Sequence, residues 1–235
     1  MSTREALSSV PQDSTSQMRY WNRVASEKSF SHPLRLDWLR RYLNSAARIL
    51  DCGCGYGRTL GDLSRLGHRN LVGLDFSEAM LRRCRSEIPN VQVVRNDGHT
   101  LPLQAGSFDA VILFAVLTCI PGDDEQRALV AEVERVLHSG GLLYISDLLV
   151  NDDLRNRERY ARYASHGAYG VFELPEGVVV RHHTVDWIKE ITGAFEPLEY
   201  EPFTVTTMNG NASAAFQYLG RKSRPLASPL QNRAR

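Results

Sequence analysis

The stretch ILDCGCGYGRTLGDLSRLG, from Ile49 to Gly67, constrains this chain more than any other. A short apolar run meets an aspartate, glycines follow at 53, 55 and 57, and an apolar face at helical spacing begins at once. Strand, tight turn and helix succeed one another with no spare residue. Glycines in such a turn let the backbone bend sharply and approach a ligand, and the helix N-terminus behind them attracts anions.

The alternation continues downstream. Arg48–Cys52, Asn70–Asp75, Val91–Arg95, Phe108–Leu113 and Leu142–Ser146 read as strands. Thr59–Leu66, a segment capped by Ser77 and running to about Ile88, and one opened by Asp123 and Asp124 read as helices. Leu129, Val130, Val133, Val136 and Leu137 form the buried side of the last, with Gly140-Gly141 as its stop. An earlier helix carries Leu36, Leu39 and Leu43 on one face. Strands alternating with helices predict parallel pairing in a sheet covered on both faces.

The end of the chain departs from this pattern. Thr184–Thr192 reads as a helix, and Glu196–Val205 and Ala214–Arg221 as strands joined across Met208-Asn209-Gly210-Asn211. Asn-Gly is a hairpin signal because both residues tolerate positive φ, so the last strand is expected to be antiparallel. The fold class is therefore α/β: an open, mostly parallel seven-stranded sheet with helices on both faces and an antiparallel last strand. Residues 151–181 fit no unit of the alternation and read as an insertion over the carboxyl edge of the sheet, where such sheets bind ligands. One domain spans 18–222, with 18–47 as an N-terminal segment and first helix. Residues 1–17 and 223–235 read as flexible tails.

The 235 residues suffice for one substantial core, and a net charge of +1 argues against a general nucleic-acid coat. No apolar run approaches the ~18–20 residues of a membrane span. The polar N-terminus does not resemble a secretory signal, and four cysteines without small-domain spacing suggest reduced thiols and a cytoplasmic setting.

Three ligands compete for the glycine stretch. Cys52 and Cys54 lack a second pair at finger-like spacing, so they read as core thiols and no metal is expected. A dinucleotide is opposed by Asp51, whose carboxylate would repel a pyrophosphate, and by the spacing D-x-G-x-G-x-G. Asp51 suits an ammonium group beside a carboxylate, hence an amino acid. Asp75 ends the next strand, where an acid accepts from ribose hydroxyls, and Asp97 follows the third, where it can accept from an adenine amino group. S-adenosyl-L-methionine carries all three features.

The segments ILDCGCGYGRTL, VGLDFSEAML, NDGHTLPLQAGSFDAVI and VERVLHSGGLLYISD, from about Arg48 to Asp147, resemble the class I S-adenosylmethionine-dependent methyltransferases in order and spacing. The resemblance implies that Asp51 and Gly53 hold the methionine end, with Gly55 and Gly57 closing the turn beneath it. It implies Asp75 for the ribose, Phe76 against the adenine and Asp97 and Gly98 at the adenine edge. Phe114 would line the cofactor pocket, its plainer role being a core aromatic. Similar enzymes often carry a histidine in the loop where this chain has LTCIPGD; Cys119 stands there and reads first as a packing residue. By analogy Tyr20 and Trp21, with Phe30 and Asn22 nearby, form a mobile lid.

Within or just after the insertion, His182, His183 and Tyr169 are the candidate bases, although the two histidines equally suit the opening of the helix at Thr184. Arg155, Arg159 and Arg162 share a face if their segment is helical, either solvated or facing an acidic acceptor. Arg58 reads as a surface salt-bridging residue. The expected function is methyl transfer to a small-molecule acceptor, with nucleic acid and membrane not expected as partners. A protein or RNA methyltransferase and a non-catalytic S-adenosylmethionine-binding regulatory module stay open beside it.

Overall fold

The structure, a computed structural model, describes residues 14–96 and 100–223. In chain order the elements are α1 (Ser14–Val24), α2 (Leu36–Tyr42), β1 (Arg48–Cys52), α3 (Arg58–Arg65), β2 (Asn70–Asp75), α4 (Glu78–Glu87) and β3 (Gln92–Arg95). There follow β4 (Phe108–Phe114), α5 (Asp123–Val136), β5 (Leu137–Leu148), α6 (Leu154–Tyr163), β6 (Val171–Glu173), β7 (Val179–Arg181), α7 (Val185–Ile191), β8 (Phe195–Thr206) and β9 (Ala212–Lys222).

Seven strands form one sheet in the order β3-β2-β1-β4-β5-β9-β8, parallel from β3 to β5, with β9 antiparallel to both of its neighbours. The expected fold is therefore the observed one. Strands buried on both faces need apolar residues at every position. In β1, Leu50 packs with Val111, Leu143 and the α5 residue Val133 on one face. Its neighbour Ile49 packs with Ile112, Tyr144, the α3 residue Leu60 and the α2 residue Trp38 on the other. Caps start the helices where the sequence offers them: Ser77 accepts the Met80 N–H at 3.2 Å, and Thr184 accepts that of Trp187 at 3.2 Å.

Three expectations need correction. Leu137 is not the last turn of α5; it opens β5 opposite Phe108, and His138 to Gly141 bulge out before Ala110 pairs with Leu142. Gly140, at φ +82°, makes that bulge possible and does not stop a helix. Residues 14–17 are helical rather than a flexible tail. Their local sequence is polar, but Gln17, Tyr20 and Val24 lie on one side of α1; Gln17 Nε2 donates to the Val179 carbonyl at 2.7 Å, and Tyr20 and Val24 pack on Val178. In the β8–β9 turn only Gly210 takes positive φ, at +77°; Asn209 does not, and the connection is a five-residue loop from 207 to 211.

Residues 151–181 fold as α6, a short 3₁₀ turn and the β6–β7 hairpin, whose strands pair antiparallel. Because β8 runs parallel to β5, its closing turn also lies at the carboxyl edge of the sheet. That edge thus gathers the glycine turn, α1, the 151–181 segment and the 207–211 loop. Among the described residues no helix is long and apolar enough to cross a membrane.

Candidate functional site

β1 ends in a turn held by two N–H groups, those of Gly53 and Cys54, which both donate to the Leu74 carbonyl at 2.8 and 2.9 Å. Gly55 has φ +54°, and a Cβ there would sit 2.5 Å from the Phe30 ring; a Cβ on Gly53 would sit 2.5 Å from Val116. The turn is thus crowded on the protein side and presents bare backbone to a cavity with roughly 1470 Å³ of empty space, its mouth included. Gly57 does not line the cavity; it takes φ +85° as the residue before α3 and closes the turn from beneath.

The carboxylates of this cavity are differently placed. Asp75 accepts the N–H groups of Gly55 and Ser77, each at 2.8 Å, so its position is fixed while one lone pair on each oxygen remains. Asp51 is buried, and its Oδ2 has no hydrogen-bond partner. Burial pushes its pKa to about 7, against the lowering effect of Arg58. An unsatisfied buried carboxylate oxygen is costly and fits a cationic ligand group. Arg58 also lines the cavity. Its ion pair with Asp62 is a long 3.8 Å and its buried Nε has no partner, so it is not the surface salt-bridging residue the sequence suggested. Asp51 and Arg58 together match an amino acid's ammonium and carboxylate. Phe76 and Phe114 line the same cavity. Asp97 and Gly98 lie outside the described residues.

Tyr20 and Trp21, expected in a lid, and Cys119 all line this cavity. Trp21 packs edge-on to Phe30, which lies against Tyr56 with centroids 4.8 Å apart. Asn22 Oδ1 accepts from Ser77 Oγ at 2.8 Å and from the Ala79 N–H at 3.1 Å, docking α1 on the start of α4. Arg83 donates to the carbonyls of Ala25 and Lys28 at 2.8 and 2.9 Å and holds the next residues down. Burial raises the Cys119 thiol to about 12, so it is no thiolate nucleophile.

Of the three candidate bases only His182 reaches the cavity. Its Nδ1 lies 2.6 Å from the Tyr160 hydroxyl and 3.3 Å from Asn151 Nδ2. The Tyr160 oxygen already accepts the Asn151 N–H, and its alternative acceptor, Asn156 Oδ1, is 3.5 Å away. Tyr160 therefore donates to Nδ1, which places the imidazole proton on Nε2. Burial, with Arg159 nearby, lowers the His182 pKa to about 3. His182 is thus a neutral donor toward the cavity and not a base. His183 is sealed in the core between Gln126 Nε2, at 2.9 Å, and the Leu148 carbonyl, at 3.1 Å. Tyr169 is 55% exposed and does not line the cavity. Neither serves the site.

Sequence reasoning missed His32. It is buried against Ser146 Oγ at 3.0 Å, lines the cavity, and burial lowers its pKa to about 4, leaving it neutral near pH 7. No periodicity marks a histidine in the loop Phe30–Pro33. The 207–211 loop, which lends Asn209 and Asn211 to the wall, was readable from the hairpin signal and the direction of β8. Ala115, also on the wall, has φ +53°, a strained conformation that sequence does not reveal.

Known proteins agree with this geometry. Residues 50–145 match the family model described as a methyltransferase domain. A ubiquinone biosynthesis O-methyltransferase of Xanthomonas oryzae pv. oryzae is 30% identical over 179 residues, 73% of this chain and 70% of that protein. A phthiotriol/phenolphthiotriol dimycocerosates methyltransferase of Mycobacterium ulcerans is 33% identical over 117 residues, 48% of this chain; the match spans only 42% of that relative's length. A solved methyltransferase from Methanosarcina mazei superposes with a TM-score of 0.75 at 24% identity, covering 80% of this chain and 98% of that one, a likeness of fold. With the strand order, the glycine turn and the paired aspartates, these matches show that the chain belongs to the class I S-adenosylmethionine-dependent methyltransferases.

Proposed function

We propose that this protein transfers the methyl group of S-adenosyl-L-methionine to a small-molecule acceptor. The observation that carries the reading is the orphaned, buried Oδ2 of Asp51, which shares one cavity with the backbone-anchored carboxylate of Asp75. Asp51 would hold the ammonium and Arg58 the carboxylate of the methionine end. Asp75 would take the ribose, and Phe76 would cover the base. When bound, the cofactor supplies an electrophilic methyl group on a sulfonium, so the protein's work is alignment and exclusion of water.

The acceptor end is built from α1, the β6–β7 hairpin and the 207–211 loop, and its size and apolar walls suit a small molecule rather than a polymer. The relatives named above methylate a ubiquinone precursor and phthiotriol-type lipids by their names, which supports a small acceptor here. The discarded base candidates are not replaced: His32, its pKa held by burial at about 4, is a neutral hydrogen-bonding group on the cavity wall, which suits an acceptor that needs no strong base. The four unpaired cysteines support a reducing, cytoplasmic setting.

Calorimetric titration with S-adenosylmethionine, S-adenosylhomocysteine and NAD, followed by transfer of labelled methyl to metabolite and macromolecule fractions, tests the reading. Binding of the adenosyl compounds and label in metabolites is the expected result. Label confined to RNA or protein would replace the acceptor class. Binding without any transfer would leave a regulatory module.

A further inference from the structure

The cations lining the cavity fall into two groups: Arg58 stands at the glycine turn near Asp51, and Arg155 and Arg159 stand apart from any lining carboxylate. The carboxylates, Asp51 and Asp75, stand at the glycine turn, whereas Arg155 and Arg159 enter from α6. Among the described residues no carboxylate lies within ion-pair distance of Arg159, and its Nε is buried without a partner. The guanidinium carbon stands 3.5 Å from the centroid of the buried Phe172 ring, which holds it flat on the wall. Arg155, one helical turn earlier, reaches only Asp153, at 4.0 Å. A half-buried cation without an anion is costly, and the exposed Arg155 on the same helix face adds like-charge repulsion. His182 adds a third donor to the same cavity, the Nε2–H fixed by Tyr160. The wall around these groups is apolar, formed by Phe172, Leu174, Val178 and Val180.

We infer that Arg155, Arg159 and the His182 Nε2–H form an oxyanion subsite, and that the methyl acceptor is a small molecule with an apolar, flat body bearing a carboxylate or phenolate-like anion. The inference rests on the methyltransferase reading for the acceptor's role, but not for the subsite itself. The planar fork of Arg159 suits a two-oxygen anion, and Phe172 with the hairpin valines suits the body beside it. The anionic group anchors the acceptor while a second atom of the same molecule receives the methyl group. This also divides the arginine face predicted from the sequence: Arg159 turns inward, Arg155 borders the cavity while staying exposed, and Arg162 does not line it.

The test is calorimetric titration of the full chain, with and without saturating S-adenosylhomocysteine. The probes are benzoate, 4-hydroxybenzoate and indole-3-acetate, each against its neutral amide. At least one carboxylate is expected to bind tenfold or more tightly than its amide. In Arg159→Gln that preference should fall to within twofold; Arg159→Lys should keep part of it, and both should bind S-adenosylhomocysteine as the wild type does. Absence of any carboxylate preference, or its survival in Arg159→Gln, overturns the subsite. Weakened S-adenosylhomocysteine binding in Arg159→Gln also overturns it, because the arginine would then serve the cofactor carboxylate. Carboxylate preference in a chain that ignores S-adenosylhomocysteine would keep the subsite and discard the methyltransferase reading.

Discussion

The Tyr160 hydroxyl donates to Nδ1 of His182 across 2.6 Å, and this bond decides what His182 offers the cavity. Removing the hydroxyl in Tyr160→Phe leaves Nδ1 with only the weaker Asn151 donor. We expect the imidazole to populate both tautomers, where the wild type holds the Nε2–H form; long-range ¹⁵N–¹H correlation spectra distinguish them. The lost buried hydrogen bond should lower stability by about 1–2 kcal/mol in urea unfolding, with cofactor affinity unchanged.

Asp51 makes cofactor binding depend on pH. Its raised pKa, about 7, means the free protein carries a protonated Asp51 below neutrality, whereas an ammonium partner requires the ionised form. Affinity for S-adenosylhomocysteine should therefore fall about tenfold per pH unit below 7 and level off above it. Calorimetry at pH 5.5, 6.5 and 7.5 in buffers of different ionisation enthalpy reads both the slope and the released proton. Asp51→Asn should bind more weakly at pH 7.5 and show no such slope.

The Asn22 carboxamide is the latch between α1 and α4. In Asn22→Ala, α1 should open more often, and S-adenosylhomocysteine should dissociate several-fold faster in stopped flow. Limited proteolysis should cut between residues 24 and 32 of the variant sooner than in wild type, and ligand should restore protection. Equal cleavage rates would show that Arg83 and the aromatic stack hold the segment unaided.

His183 links stability to pH. Burial lowers its pKa to about 3, while the unfolded chain binds the proton near 6.5. The unfolded state thus holds more protons between these values, and the stability His183 contributes is fully present above pH 6.5 and is lost as pH falls. Relative to His183→Gln, the wild type should lose about 1.4 kcal/mol per pH unit below 6.5, or roughly 2 kcal/mol by pH 5. Urea midpoints of the two proteins at pH 7.5 and 5 give the difference directly.

The sequence by itself determined the parts that depend on neighbouring residues. The run Ile49–Cys52 must be buried on both faces, the glycines at 53, 55 and 57 must turn, and Ser77 must cap; each follows from local sterics or hydrogen bonding. The positions of Asp51 and Asp75 at strand ends followed in turn, because parallel strands of known direction place their carboxyl ends at one edge. The Asn-Gly turn fixed the antiparallel strand in the same way.

Only the tertiary structure decided which of two adjacent histidines lines the cavity. In extended backbone, successive side chains point to opposite sides. One of His182 and His183 had to face the cavity and the other the core, and nothing local says which. The answer came from Tyr160 and Asn151 on one side and Gln126 and Leu148 on the other, partners 22 to 57 residues distant. His32 reached the site for the same reason, carried there by Ser146 from 114 residues away. Tyr169 stays outside it, 55% exposed and edge-on to the buried Tyr160 ring at 5.3 Å. Contacts between distant segments carry no period in the sequence, and the cavity wall around His32 and His182 is made almost entirely of them.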